Sequence, residues 1–532
     1  MLVGYVSDER YVALPDVLLE FENESGSFET RSRATGAVHV DLSPGPYKVT
    51  LYRPGFGYKS VQMTVCEDHP YHFRLLSDGL LGYAWPKWVR SGERSEFRVH
   101  AVEAYQLSLW RYGLTKEFIR HLGWHDEHGP RATMQISPDG DYTQTGIQWN
   151  KYGYTNPHHL QYVEAPVHSG LYYFHAKSES GTFFSFPWIV APARSRAPVA
   201  VLASNINWTA YNNFGGRSNY IHPDRFPPTP TVNARLDLKR YTDPAHRHFN
   251  AEEYAPLSFD RPEPINHIPE GVEVTDPIEG RAACHTAPAE WRLLGWFERE
   301  GFDYDFYAET QLHQGILKLE DYKVLILSTH PEYWSKEMYF RLKAWVFEEG
   351  GKLMYLGGNG LNCEVEFTDE YTMVAHNGNI GSGSFTSLQQ NSHFESRFHL
   401  RHESEANLLG IVCTDTGIMT GAPYRVIDDS HWIFADTGLK NGDVFGENSL
   451  HMRCPGGASG HETDKISASS PPNVQLLAKG LNPDNGGAEI AYHEHGGGGA
   501  VFSVGSISYP SSVLVDDAVS KITANVLKRF LE

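Results

Sequence analysis

Cysteine is scarce: Cys66, Cys284, Cys363, Cys413 and Cys454 are the only five in 532 residues, and no two share a CxxC spacing. An odd, scattered set supplies neither a disulfide framework nor a thiolate zinc site, and it fits a reducing compartment. Positive charge is short as well, with 45 Lys and Arg against 65 Asp and Glu and a formal net charge of -20. Phosphate binding needs a basic footprint, so neither nucleic acid nor an anionic membrane is expected as a partner. No apolar run approaches the roughly 20 residues of a membrane-spanning helix. Met1 to Asp8 runs into strand-like sequence without a basic and then apolar leader, and the expectation is a cytoplasmic protein.

What is abundant describes a folded chain rich in strands and loops: 49 Gly, 31 Pro, 13% aromatic and 40% hydrophobic residues. The length calls for roughly two to four domains. Over residues 1–78 short apolar runs such as Val17–Phe21 and Tyr47–Leu51 alternate with turn residues, which predicts a small β-sandwich. Residues 79–196 continue with strands such as Glu96–His100 and Gly170–Ala176 and read as a second sandwich. Ala191 to Pro198 interrupts the apolar pattern with prolines and small or charged residues, a linker.

Residues 197–532 then alternate strand and helix. Val199–Ala203 and Tyr322–Ser328 are largely continuous apolar runs, as strands covered on both faces require. Helical spacing marks Ala289–Phe297 and Met338–Phe347, with a stop at Gly350-Gly351, and Lys352–Leu356 returns to strand. The expectation is an α/β domain with a mostly parallel sheet. In such a sheet ligands sit beyond the carboxyl ends of the strands. The loops to search are therefore Ser204 to Tyr220, Thr329 to Trp334, and Gly357-Gly358-Asn359-Gly360.

Those loops carry a specific resemblance. The runs Trp208 to Tyr220, Ser258-Phe259-Asp260-Arg261-Pro262, His330-Pro331-Glu332-Tyr333-Trp334, Gly358-Asn359-Gly360 and Val504-Gly505-Ser506-Ile507 resemble, in order, the large subunit of the N,N-dimethylformamidase family over roughly residues 80–532. The first 78 residues resemble a transthyretin-like carboxypeptidase regulatory module. The resemblance implies a catalytic domain similar to class I glutamine amidotransferases, holding one iron ion between two tyrosines and a carboxylate. Carried over, Glu332 is the carboxylate ligand, Tyr211 the first tyrosine and Tyr254 the second, with Tyr220 as the alternative to Tyr254. His330 is the implied proton handler; on their own chemistry Glu462 in Gly460-His461-Glu462 is a second proton handler and Asn359 a donor to a developing oxyanion. Glu263 stands where relatives often carry an aromatic residue, which unsettles the second tyrosine and the pocket shape.

The implied activity is hydrolysis of a small or N-substituted amide, since two phenolates and a carboxylate are hard donors suited to ferric iron acting as a Lewis acid. Implied partners are a small amide substrate, further copies of the chain, and a small second subunit or the N-terminal module in its place. Two other functions stay open: a non-catalytic binding or assembly protein, and a cysteine-dependent amidohydrolase built on Cys284-His285. The pairs His246/His248 and His493/His495 have zinc-like spacing, but neither has an obvious third ligand in sequence, and surface loops are the expectation.

Overall fold

The computed structural model describes residues 1–56, 58–77, 79–125, 161–220, 227–232, 255–280, 282–376, 394–414 and 416–532. Its N-terminal part opposes an antiparallel sheet, ordered Gly26–Arg31, Leu18–Asn23, Gly45–Tyr52 and Tyr58–Val65, with a three-stranded sheet of Ala37–His39, Leu2–Ser7 and Tyr71–Arg74. Strand alternation does the sorting. Leu19 and Phe21 pair with Leu51 and Val49, all four fully buried in one cluster with Val6, Val38 and Phe73, while Glu20 and Glu22 take the positions between.

A second sheet pair follows. Leu81–Trp85, Arg94–His100 and Tyr162–Glu164 face a five-stranded sheet ordered Lys116–His125, Tyr105–Tyr112, Gly170–Ser178, Phe183–Ala191 and Trp88–Arg90. The larger sheet is covered on both sides. Leu109, Phe174, Phe186 and Trp188 fill the space between these two sheets, whereas Tyr112, Leu171, Tyr173 and Ile189 belong to the core of the remaining chain. That double burial explains why Phe183–Ala191 is apolar almost throughout.

The third part is built on nine strands ordered Asp305–Ala308, Val199–Ala203, Val324–Thr329, Lys352–Gly357, Ala500–Ser503, Glu489–Glu494, Gln475–Gly480, Tyr424–Val426 and Val444–Phe445. This corrects the expectation of a mostly parallel sheet. The first five strands are parallel, but every later pairing is antiparallel. For the pairs of Glu489–Glu494 with its two neighbours the reason is connection length: a parallel crossover needs about a dozen residues or more, whereas a hairpin closes with a few. Only His495 to Gly499 separates Glu489–Glu494 from Ala500–Ser503, so the glycine run is a hairpin turn. Helices Ala287–Glu300 and Asp517–Leu531 pack together through the Trp296 indole, which donates to Ser520 Oγ at 2.8 Å. Among the described residues no helix is long and apolar enough to cross a membrane.

Candidate active site

Three adjacent parallel strands, Val199–Ala203, Val324–Thr329 and Lys352–Gly357, end together and present the loops read from the sequence. Helix Asn205–Tyr211 begins just beyond the first, with all seven residues buried. It is fixed by Ser204 Oγ donating to the Ser328 carbonyl at 3.0 Å and the Trp208 indole donating to Glu290 at 2.9 Å. The chain then doubles back. The amide of Asn219 donates to Ala210 O at 3.0 Å, which sets the Tyr220 ring against Tyr211 with centroids 4.4 Å apart.

Buried Arg261 holds this loop, donating to Thr209 O at 3.0 Å and to Phe214 O at 2.5 Å. The rest of its motif ties the loop to the second sandwich. Asp260 accepts from Tyr83 and Arg98 at 2.7 and 2.5 Å. Glu263 pairs with buried Lys87 at 2.7 Å and accepts from Thr209 Oγ1 at 3.3 Å. Glu263 is thereby the ion-pair partner that ties this loop to buried Lys87, between strands Leu81–Trp85 and Trp88–Arg90.

At the centre the Tyr211 hydroxyl donates to Glu332 Oε2 at 2.8 Å, and the Tyr220 hydroxyl to the same oxygen at 3.1 Å. The Tyr333 hydroxyl meets the Tyr220 hydroxyl at 2.6 Å. His330 Nε2 stands between two carboxylates, 3.4 Å from Glu332 Oε2 and 3.1 Å from Glu462 Oε2. These are ion-pair distances rather than aligned hydrogen bonds, since neither contact meets the angular requirement. Asn359 Nδ2 donates to Glu462 Oε2 at 2.8 Å. That amide, read from sequence as an oxyanion donor, thus orients a carboxylate.

The backbone beneath these residues is strained. Thr329, Asn359 and His461 have φ of 61°, 51° and 70°, each either a site residue or the one immediately before a site residue. For a β-branched threonine this region is a genuine outlier, costing on the order of 1–3 kcal/mol, and such strain gathers where surrounding structure serves function. Close packing shares in it: a Cβ on Gly358 would meet Glu462 O at 2.6 Å.

Electrostatics follow from depth. Burial pushes the Glu332 carboxyl up, opposed by His330 and reinforced by Glu462. Burial and then the Glu332 charge push Tyr220 and Tyr333 well above the ordinary phenol value. Asp464 is pushed up to about 7 by burial, although Tyr355 Oη and the Asn359 amide donate to it at 2.7 and 2.8 Å. A cation among these oxygens would reverse that balance. Two phenol oxygens converging on one carboxylate oxygen form a hard donor set of the kind ferric iron takes, so the residues present fit such an ion.

Several residues of this cluster escape sequence reading. His285 Nδ1 lies 3.2 Å from His330 Nδ1 and its ring packs edge-on against Tyr211; Cys284-His285 gave a signal only as a cysteine motif. His461 and His451 continue the line of imidazoles, 3.1 Å apart. Burial holds His451 down at about 3 and His461 well below its usual value.

Of the remaining candidates, Tyr254, His246 and His248 lie outside the described residues. Burial raises the Cys284 thiol, which rests on Gly280 O at 3.5 Å, away from thiolate character. His493 is buried in strand Glu489–Glu494, 3.1 Å from His495, rather than in a surface loop. Among the described residues no three or more His, Cys, Asp or Glu side chains are grouped to hold a metal. A cavity of about 740 Å³ bordered by Arg196, Tyr304 and Asp305 lies at the opposite, amino-terminal edge of the parallel strands.

The family described as N,N-dimethylformamidase beta subunit-like, C-terminal, matches residues 114–519. The N,N-dimethylformamidase beta subunits of Alcaligenes sp and Paracoccus aminophilus are each 27% identical over 403 residues, covering 65% of this chain and 50% of the relative. The chain thus spans about half the length of these curated relatives. Among solved structures, a beta-galactosidase from Bacillus circulans sp. alkalophilus aligns with 46% of the chain and 27% of its own length at 14% identity and a TM-score of 0.28, too slight to bear on the fold.

Proposed function

The chain belongs to the N,N-dimethylformamidase beta subunit-like family, and from that premise we propose that it hydrolyses a small or N-substituted amide to carboxylate and amine at the cluster around Glu332. The observation that carries the reading is His330 Nε2 set between Glu332 and Glu462 beneath two phenols that share one Glu332 oxygen. A ferric ion held by Tyr211, Glu332 and a second tyrosine would supply Lewis acidity toward the amide carbonyl and acidify a bound water. Tyr220 has the contacts for the second position, and Tyr254 has the better sequence separation from Tyr211 and Glu332.

The chain's own groups handle the protons. His330 accepts a proton at Nε2, and Glu462, 3.1 Å away, is the group that passes it toward the departing amine nitrogen. Asn359 keeps Glu462 Oε2 facing the imidazole. His285 contacts the other ring nitrogen of His330 at 3.2 Å, which holds the ring plane. Burial of His330, Glu332 and Tyr211 keeps bulk water from competing with the substrate.

The raised Cys284 thiol weighs against a cysteine nucleophile. The accompanying fold reading, an amidotransferase-like sheet, rests on five parallel strands with the site at their carboxyl ends. Since the relatives are named as subunits, assembly with further copies or a small second subunit is part of the proposal. The test is a screen of formamides and other small amides on full-length protein of known iron content. Tyr220→Phe and Tyr254→Phe decide the ligand, because only the ligand variant loses iron. Turnover of no amide by iron-loaded protein would refute the reading.

A further inference from the structure

The N-terminal sandwich touches the loop that delivers Tyr220, and it does so at both described ends of that segment. Arg74, at the end of strand Tyr71–Arg74, is completely buried. One arm of its guanidinium donates to Gly216 O at 2.6 Å and the other to Glu9 O, also at 2.6 Å. The Tyr11 hydroxyl, 2.7 Å from His72 Nδ1, donates to Pro227 O at 2.7 Å. Backbone pairing completes the contact: the Ala13 amide donates to Thr231 O at 2.7 Å and the Thr231 amide to Tyr11 O at 3.1 Å. Tyr11 is held at φ 63° to do this, a conformation that bulky residues avoid unless the surroundings impose it. Asp8 braces the turn, accepting from the Val12 and Arg10 amides at 2.8 Å.

A buried guanidinium whose two arms end on backbone carbonyls of different domains is a rigid, charge-assisted tie. Gly216 lies four residues before Tyr220, within the turn that folds Asn219 back onto Ala210. Displacing Gly216 therefore displaces the phenol that reaches Glu332. Arg74 and Tyr11 both precede the family match at residues 114–519, so the tie is supplied by a part of this chain outside that match.

We infer that the N-terminal sandwich is an intramolecular clamp on the active site, with Arg74 a positioning residue that acts through Gly216 to hold Tyr220 against Glu332. Its consequence for catalysis rests on the amide-hydrolase reading; its consequence for the loop does not. The experiment is hydrogen exchange on full-length wild type, Arg74→Met and Tyr11→Phe, together with amide kinetics and iron content.

Arg74→Met is expected to speed exchange over residues 212–220 by about tenfold or more, the local opening expected when a charge-assisted tie is lost, while the central strands keep wild-type protection. Arg74→Lys, which reaches one carbonyl but not both, restores part of it. Tyr11→Phe loses one hydroxyl and is expected to loosen residues 227–232; it carries the test by itself if Arg74→Met does not fold. Wild-type exchange over residues 212–220 in folded Arg74→Met, or over 227–232 in Tyr11→Phe, overturns the clamp. Faster loop exchange with no amide turnover even in wild type sustains the clamp and removes the hydrolase reading.

Discussion

Replacing Glu263 by Gln leaves Lys87 as a buried cation without its counter-charge. The two side chains are 4% and 8% exposed and 2.7 Å apart, and Lys87 is already pushed down from 10.5 to about 8 by burial, against the support of Glu263. Breaking such a pair from one side costs about 3–5 kcal/mol.

Urea denaturation at pH 7 should place Glu263→Gln within that range below wild type. The double variant Lys87→Met with Glu263→Met, which removes both charges of the pair, should recover most of the loss. A lysine with a lowered folded pKa contributes stability present above 10.5 and lost as pH falls through its folded value. Glu263→Gln should therefore regain stability between pH 7 and 10. A variant within about 1 kcal/mol of wild type at pH 7, the range of an exposed pair, would show that the interdomain tie is not electrostatic.

Other outcomes follow from the site. His330→Asn and Glu462→Gln should each lower kcat by about 10²- to 10⁴-fold, the range for general acid–base groups, with iron content unchanged; unaltered kcat would remove them from proton transfer. Cys284→Ala should leave amide turnover within about twofold of wild type, since a raised, buried thiol is an inert one; abolished turnover in folded, iron-replete protein would restore the cysteine mechanism. Asp464, Glu290 and Glu405 are pushed up to about 7, 8 and 8, chiefly by burial. Their stabilising contribution is present below the ordinary carboxyl range and lost as pH rises through those values. The urea midpoint should fall between pH 5 and 8, and Asp464→Asn should flatten that slope; a midpoint rising over this range would contradict it.

Periodicity and breakers made much of the architecture legible. Continuous apolar runs marked Val199–Ala203 and Tyr322–Ser328 as strands covered on both sides, observed as Val199–Ala203 and Val324–Thr329, and position after those strands identified the loops holding Tyr211, His330 and Glu332. In the antiparallel half of the sheet, Tyr424–Val426 and Val444–Phe445 are only three and two residues long and carry no period to read. His285 and Asp464 were missed for another reason. They enter the cluster by long-range contact, His285 meeting His330 across 45 residues and Asp464 meeting Asn359 across 105, and no local spacing encodes such a meeting. Glu263 has its partner Lys87 176 residues earlier in the chain, a pairing that no local pattern shows.

The central claim is that Glu332 and two phenols form an iron site for amide hydrolysis, and metal analysis with visible absorption of the purified chain tests it most directly. The account predicts about one iron per chain and a tyrosinate-to-iron band, both lost in Tyr211→Phe and Glu332→Gln while the urea transition stays cooperative. Colourless, metal-free protein that still hydrolyses amides would contradict it.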